Sequence, residues 1–203
     1  TLPSEFLEII KFLQQCIASK LDEVKKYGFL RTRTGVGKRE LLQLQGALHG
    51  MLAKGNKDFP VLKSISLLAE TMKAHHALEL IETQGIASLH GYFQKIMAEA
   101  KTAKTKAVKN LAADLNFKSA WIKTEKLYEQ KIEHPKMQEL RRIVGDEING
   151  TEKMIVFTQY RDTALRIREE LQNASFKAEI FVGQTKRGLT GMTQKKQKEL
   201  LDQ

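Results

Sequence analysis

The sequence has a single cysteine, three prolines and no long apolar run. Cys16 has no second cysteine with which to form an intramolecular disulfide, and its neighbours Leu13 and Ile17 indicate a small buried side chain on a helix. No segment approaches the roughly 18 consecutive apolar residues of a membrane span, and the N-terminus lacks the residue order of a secretory signal. We therefore expect an intracellular protein without a membrane partner.

Catalytic and cofactor motifs are also missing. The string GVGKR at residues 35–39 looks like the end of a phosphate-binding loop. However, Thr32 stands where that loop needs its first glycine, and Arg39 stands where it needs Ser or Thr to hold magnesium. The pair His75-His76 has no cysteine or carboxylate partner at metal-ligand spacing. We therefore expect no catalytic residue, metal site or cofactor in this chain itself.

Apolar residues occur in helical order over the first two thirds of the chain. Of the 203 residues, 41% are hydrophobic and 29% are charged, which supplies enough apolar side chains for a core. Apolar residues recur every three or four positions over 4–27, 41–52 and 60–85, and in shorter stretches up to about 130. The pattern predicts a mainly α first domain over residues 1–130.

Residues 131–203 alternate short apolar runs with helical patterns. Apolar spacing predicts a helix over 137–148. Residues 154–157, which are rich in β-branched residues, and residues 178–182 predict strands, with a helix over 164–171 between them and another from Gln194 onward. Strands separated by helices of about a dozen residues are typical of βαβ units on a parallel sheet. The predicted fold is therefore mainly α, with a helical domain followed by a truncated α/β domain over 131–203.

The predicted sheet has too few strands to be complete. Two parallel strands cannot bury both of their faces, so we expect residues beyond 203, or another part of a parent chain, to complete the sheet. Val156 and Phe157 are predicted to lie in its core. The chain begins at Thr1 and stops at Gln203 inside a helical pattern, so we expect it to be a piece of a longer protein.

The charge of the chain is strongly positive. Lys and Arg number 34 against 24 Asp and Glu, a formal net charge of +10. Three stretches, 25–39, 101–109 and 184–198, are basic and free of acids, and each includes or adjoins a predicted loop or helix end. Clustered cations beside flexible connections suit a phosphate backbone, because neutralised phosphates release condensed counterions. A solvated face that keeps the protein soluble is the alternative explanation.

The C-terminal third carries a specific family signal. The strings HPKMQELRRIV, KMIVFTQYRDTALRIREEL and FVGQTKRGLTGMTQKKQKELLDQ resemble, in this order, the second RecA-like domain of superfamily-two helicases of the archaeal Hef and Fanconi anaemia M type. The resemblance implies that residues 155–161 are the family's motif IV and that residues 1–130 are the thumb-like helical insertion between two RecA-like domains. In Hef this insertion helps to grip branched DNA.

The resemblance also implies what the rest of such a protein supplies. ATP and magnesium would bind motifs that lie outside residues 1–203, so this chain alone should neither hydrolyse ATP nor unwind DNA. Its expected partners are the remaining helicase domains and DNA, forked or branched. The implied function is the DNA-binding portion of an ATP-dependent helicase or translocase in repair and replication-fork processing.

Candidate contacts follow from charge, loop position and the resemblance. In open α/β sheets, ligands bind beyond the carboxyl ends of the strands, and a helix N-terminus capped by Thr193 can face a phosphate. Such contacts grip the backbone and ignore base identity. The candidates in the helical domain are Arg31, Arg33, Lys38, Arg39, Lys54 and Lys57. Those in the second domain are Thr158, Gln159, Arg161, Gln184, Lys186, Arg187, Thr193 and Gln194.

Two other functions fit the same residues. The helical domain could be a protein-interaction scaffold whose exposed apolar stripe docks a partner helix. The substrate could also be double-stranded RNA, because RNA-sensing and Dicer-type relatives carry similar insertions. The FTQYR and GMTQKKQ strings favour DNA by resemblance.

Overall fold

The fold is described from a computed structural model, which covers residues 2–31, 36–102, 106–132, 134–148, 153–183 and 192–202. The chain divides into two compact units, Thr1–His134 and Pro135–Gln203. We refer to them as the N-terminal unit and the C-terminal unit. Over the described ranges both are built from helices and irregular segments, so the prediction of a mainly helical chain is confirmed.

The N-terminal unit contains six helices in its described residues. They are α1 (Ser4–Lys26), α2 (Lys38–Ala53), α3 (Phe59–Thr83), α4 (Ile86–Thr102), α5 (Lys106–Ala113) and α6 (Leu115–Glu129). The long helices α1 and α3 pack against each other, α6 packs on α1, and α2 packs on α3. The apolar positions spaced three and four apart form one core; Phe6, Phe93 and Phe117 are fully buried in it. Cys16 is buried there as predicted.

A buried polar cluster joins four of these helices. The Lys20 ammonium lies 2.9 Å from the Glu70 carboxylate and 3.1 Å from that of Asp114. Ser66 and Asn110 donate hydrogen bonds to the Glu70 Oε1 atom at 3.1 and 3.3 Å. Lys20 and Glu70 are only 6% and 2% exposed. The cluster therefore ties α1, α3, α5 and the start of α6 together by charge-assisted hydrogen bonds.

The protonation of this cluster follows from its surroundings. Burial lowers the pKa of Lys20, but the hydrogen bond with Glu70 and the neighbouring negative groups raise it by more, so Lys20 stays charged. Burial raises the pKa of Asp114, but the Phe117 amide and Lys20 lower it by more. Burial raises the pKa of the Cys16 thiol to about 12. The cluster is thus one cation held by carboxylates, beside an inert thiol.

Gly85 permits a close contact at the end of α3. Its φ of +86° is left-handed, and its amide donates to the Leu80 carbonyl at 3.0 Å, which ends the helix. A Cβ atom at this position would lie 2.7 Å from the Cβ atom of His134. His134 is buried and meets the Phe6 ring edge to face at 5.8 Å. The last residue of the N-terminal unit is therefore packed against α1 and the α3–α4 turn.

We expect Gly85→Ala to lower the free energy of unfolding by about 2–3 kcal/mol, since it adds a left-handed backbone penalty to a clash with His134. Gly28→Ala is the matched control. Gly28 also has a positive φ, of +83°, but nothing lies within 4 Å of the added Cβ, so only the backbone cost of about 1 kcal/mol is expected. Urea unfolding followed by circular dichroism measures both; equal losses would show that the His134 contact contributes nothing.

The C-terminal unit contains α7 (Pro135–Glu147), α8 (Arg161–Asn173) and α9 (Gln194–Asp202) in its described residues. These three helices confirm the three helices predicted there. An ion pair between Arg141 and Glu170 joins α7 to α8, and Val144 and Leu171 are buried. The Gln172 and Gln197 side chains donate to the carbonyls of Ala178 and Val182 at 2.9 and 2.8 Å.

The two predicted strands do not form within the described residues. Residues 154–157 and 178–182 are irregular there, and Phe157 is 92% exposed, which corrects its assignment to a core; Val156 is half-buried. Ile155 and Phe181 are also exposed. The physical reason is that a parallel sheet needs several paired strands and covered faces, and two strands alone leave their outer edges unpaired and their faces open. The parallel sheet therefore stays a prediction.

Candidate nucleic-acid interface

Ten of the fourteen candidate contacts lie within the described structure. Arg33, Gln184, Lys186 and Arg187 lie outside the described residues. The other ten fall on helix ends or on the segments that adjoin them.

One group of cations lies where α1 and α2 end and α3 begins. The Tyr27 ring, just after α1, meets the Phe59 ring at the start of α3, with centroids 6.1 Å apart at 82°. The chain brings five exposed cations to this end of the unit, which we call the basic end: Lys25, Lys26, Arg31, Lys54 and Lys57. None of the five forms an ion pair with another described residue.

The turns at the basic end are short and hydrogen-bonded. Gly28 and Gly55 end α1 and α2 with φ of +83° and +94°, values that favour glycine. The Gly28 amide donates to the Lys25 carbonyl at 2.9 Å, and the Gly55 amide donates to the Leu52 carbonyl at 3.0 Å. The backbone that carries the cations is therefore ordered, while their side chains stay in solvent.

A second group begins α2 and lies away from the basic end. Lys38 and Arg39 are separated from Lys54 by α2, whose 16 residues span about 24 Å. The Lys38 ammonium lies 3.3 Å from the Glu79 Oε2 atom, whereas Arg39 forms no ion pair with a described residue. The structure thus divides the candidates of this unit into two groups.

Two histidines lie near the ion pair between Lys38 and Glu79. The His76 Nδ1 atom lies 3.8 Å from the same Glu79 oxygen, and its ring meets that of Tyr92 edge to face at 4.8 Å. Burial lowers the pKa of both His75 and His76; Glu79 raises it and Lys38 lowers it, and the net pKa of each imidazole is lowered. The two imidazoles are therefore neutral at pH 7 and add no positive charge for a phosphate.

In the C-terminal unit, the first group of candidates lies just before α8 and at its first residue. The Thr158 hydroxyl donates to the Tyr160 carbonyl at 3.1 Å and accepts from the Tyr160 amide at 3.3 Å. It therefore shapes the turn before the helix, which is the ordinary structural use of a threonine here. Gln159 is exposed, and Arg161 is the half-buried first residue of α8.

The second group lies at the start of α9. Thr193 directly precedes the helix, its carbonyl accepts from the Gln197 amide at 3.0 Å, and Gln194 is the first helical residue. The helix start predicted at this position is confirmed. Since Gln197 also donates to the Val182 carbonyl, it fixes α9 beside the end of the segment 178–182.

Sequence reasoning missed two features of the basic end. Lys25 and Lys26 belong to the acid-free stretch 25–39 but are not among the fourteen candidate contacts. Phe59 is not among these candidates either. It is 67% exposed. The run Asn56-Lys57-Asp58 before it was the available signal of a helix start at the surface.

Other kinds of site are not found in the described ranges. No group of three His, Cys, Asp or Glu residues there could hold a metal ion. No described helix is long and apolar enough to cross a membrane.

The described part of the N-terminal unit is thus a bundle of helices with exposed cations at its helix ends. The comparison with protein families identifies its class. The family described as "Putative ATP-dependent RNA helicase, helical bundle" matches residues 5–131. The chain belongs to this family.

Two relatives extend the similarity to nearly the whole chain. "Putative ATP-dependent RNA helicase MJ1505" of Methanocaldococcus jannaschii is 30% identical over 99% of this chain, which covers 25% of that protein. The crystal structure of the Pyrococcus furiosus Hef helicase domain is 34% identical with a TM-score of 0.84, over 99% of this chain and 41% of that one. The resemblance to Hef is thereby confirmed, and the chain spans about a quarter of the archaeal relative.

Proposed function

We propose that this chain is the nucleic-acid-binding portion of an ATP-dependent helicase or translocase that acts on forked or branched DNA in repair and replication-fork processing. The observation that carries the proposal is the basic end, where five exposed cations have no ion-pair partner among the described residues. Because these cations form no ion pair with a described residue, no such pair has to break when they bind phosphates. The neutralised phosphates release condensed counterions, and this release favours binding.

The ATP-dependent steps of this proposed activity take place in other domains of the whole protein. ATP and magnesium bind those parts, and nucleotide-driven closure of two domains moves the strand. The segments 154–157 and 178–182 join the strands of a completed RecA-like sheet, whose edge presents the candidate residues of the C-terminal unit to the nucleic-acid backbone. The protein works inside the cell, with the other helicase domains as partners.

A double-stranded RNA substrate is the second candidate. The observation that favours it is the word RNA in the names of both the matching family and the archaeal relative. Contacts to phosphates alone do not distinguish the two nucleic acids, so the substrate needs a direct measurement.

The test is binding of the chain to a labelled DNA fork, a DNA duplex of the same sequence and a matched RNA duplex, each between about 50 and 200 mM salt. We expect the fork to bind most tightly. If the whole basic end contacts phosphates, the logarithm of the binding constant falls with that of the salt concentration with a slope of about −4.5. Tighter binding of RNA would support the second candidate. Absence of binding to all three would contradict both and favour a protein-interaction scaffold.

A further inference from the structure

Phe59 is an exposed aromatic side chain in the middle of the basic end. It is the first residue of α3, and two thirds of its surface is open to solvent. The one ring contact that the described structure gives it is the edge-to-face contact with Tyr27. A large aromatic ring that stays in solvent lacks much of the favourable free energy that burial of its apolar surface would provide. A ring in this position is therefore available to a ligand.

Hydrogen bonds fix the backbone around Phe59, and the Tyr27 ring contacts the Phe59 ring. The Asp58 amide donates to the Asn56 side chain at 3.0 Å, and the Asn56 amide donates to the last turn of α2 at 3.1 Å. The Leu62 amide donates to the Asp58 carbonyl at 3.1 Å, which starts α3 directly after the turn. Such an ordered platform loses little conformational entropy when a flat ligand stacks on it.

Phe59 and its ring partner Tyr27 have mostly positively charged neighbours, which indicate the class of ligand. Lys57 lies two residues before it, and Lys25 and Lys26 directly precede its ring partner Tyr27. Two acidic residues are also near. Asp58 directly precedes Phe59 in the sequence. The Glu23 carboxylate lies 3.5 Å from the Lys63 ammonium and accepts a hydrogen bond from the Tyr27 hydroxyl at 3.5 Å. Cations therefore outnumber the acids at this surface. An aromatic ring among cations is the combination that binds single-stranded nucleic acid, with bases on the ring and phosphates on the cations.

We propose that Phe59, supported by Tyr27, is a stacking platform for an unpaired nucleobase whose neighbouring phosphates are bound by the lysines of the basic end. This inference rests on the proposed function and adds a preference to it. A paired base offers its face only to its neighbours in the duplex, whereas an unpaired base can leave the stack. The N-terminal unit therefore favours the single-stranded part of its substrate, with little dependence on sequence.

Phe59→Ala tests the platform. We expect this variant to bind a mixed-sequence single-stranded oligonucleotide at least about fivefold more weakly than the unmodified chain, since stacking on one aromatic ring is lost. Binding of a blunt DNA duplex and the salt dependence of both affinities should stay unchanged, because no phosphate contact is removed. Phe59→Trp should restore the single-strand affinity.

Controls separate this inference from the proposed function. Leu115→Ala removes another exposed apolar side chain, 81% exposed at the start of α6, and should leave binding unchanged. Thermal unfolding of Phe59→Ala shows whether loss of the Tyr27 contact affects folding. Unchanged single-strand binding in Phe59→Ala, alongside weaker binding in Lys57→Ala, would overturn the stacking platform but leave the proposed function in place. Equal losses on single strand and duplex would also overturn it, and absence of binding by the unmodified chain would overturn both.

Discussion

Replacing Lys20 with alanine is expected to lower the free energy of unfolding of the N-terminal unit by about 3–5 kcal/mol. The Lys20 ammonium holds the Glu70 and Asp114 carboxylates at 2.9 and 3.1 Å. Without Lys20, the buried Glu70 side chain loses its cation and has only the Ser66 and Asn110 donors as partners. An uncompensated charge in the core costs several times more than the loss of an exposed ion pair.

The measurement is urea unfolding followed by the fluorescence of Trp121, the single tryptophan, which lies in α6 of the same unit. Lys11→Ala is the matched control, because Lys11 is an exposed lysine of the same helix; its free energy of unfolding should change by less than about 0.5 kcal/mol. The double variant Lys20→Met with Glu70→Gln removes both charges and should recover part of the loss. Equal stability of Lys20→Ala and Lys11→Ala would show that the buried cluster does not stabilise the fold.

The sequence supports the prediction of this helix but not of the cluster. Lys20 falls four residues after Cys16 and four before Val24, on the buried face of α1, which is a visible departure from the apolar pattern. Its partners lie 50 and 94 residues further along the chain. No local pattern relates such distant positions, so the pairing appears only when α3 and α6 pack on α1.

The candidate nucleic-acid interface, like the buried cluster, depends on contacts between residues that are far apart in the sequence. The acid-free stretch at 25–39 predicts clustered cations, yet α2 separates Lys38 and Arg39 from Lys54 by about 24 Å. The helix itself was predictable from its apolar spacing. Its antiparallel packing on α3, which brings Lys38 to Glu79, depends on tertiary contacts. In the C-terminal unit, β-branched residues at 154–157 and 178–182 predict strands correctly only where neighbouring strands are present to pair with them.

The second large effect is expected on nucleic-acid binding, because the cations of the basic end lie apart from Lys38 and Arg39. Replacing Lys25, Lys54 and Lys57 together with alanine is expected to weaken binding to a DNA duplex by about 100-fold or more at 0.1 M salt, since three phosphate contacts are lost. The salt slope should become less negative by about 2.7. Lys38→Ala should have a smaller effect than Lys57→Ala, because a phosphate must first displace Glu79 from Lys38.

A control with the same change in net charge distinguishes local contacts from general attraction. Lys118, Lys126 and Lys131 are exposed lysines of α6 and the residues after it, in the same unit. Replacing these three with alanine lowers the net charge equally but removes nothing from the basic end. We expect the affinity of this control to fall by less than about tenfold, because exposed charges that do not contact the phosphates act only through attraction that salt screens. Equal losses in the two triple variants would contradict a binding surface at the basic end, since the attraction would then come from net charge alone.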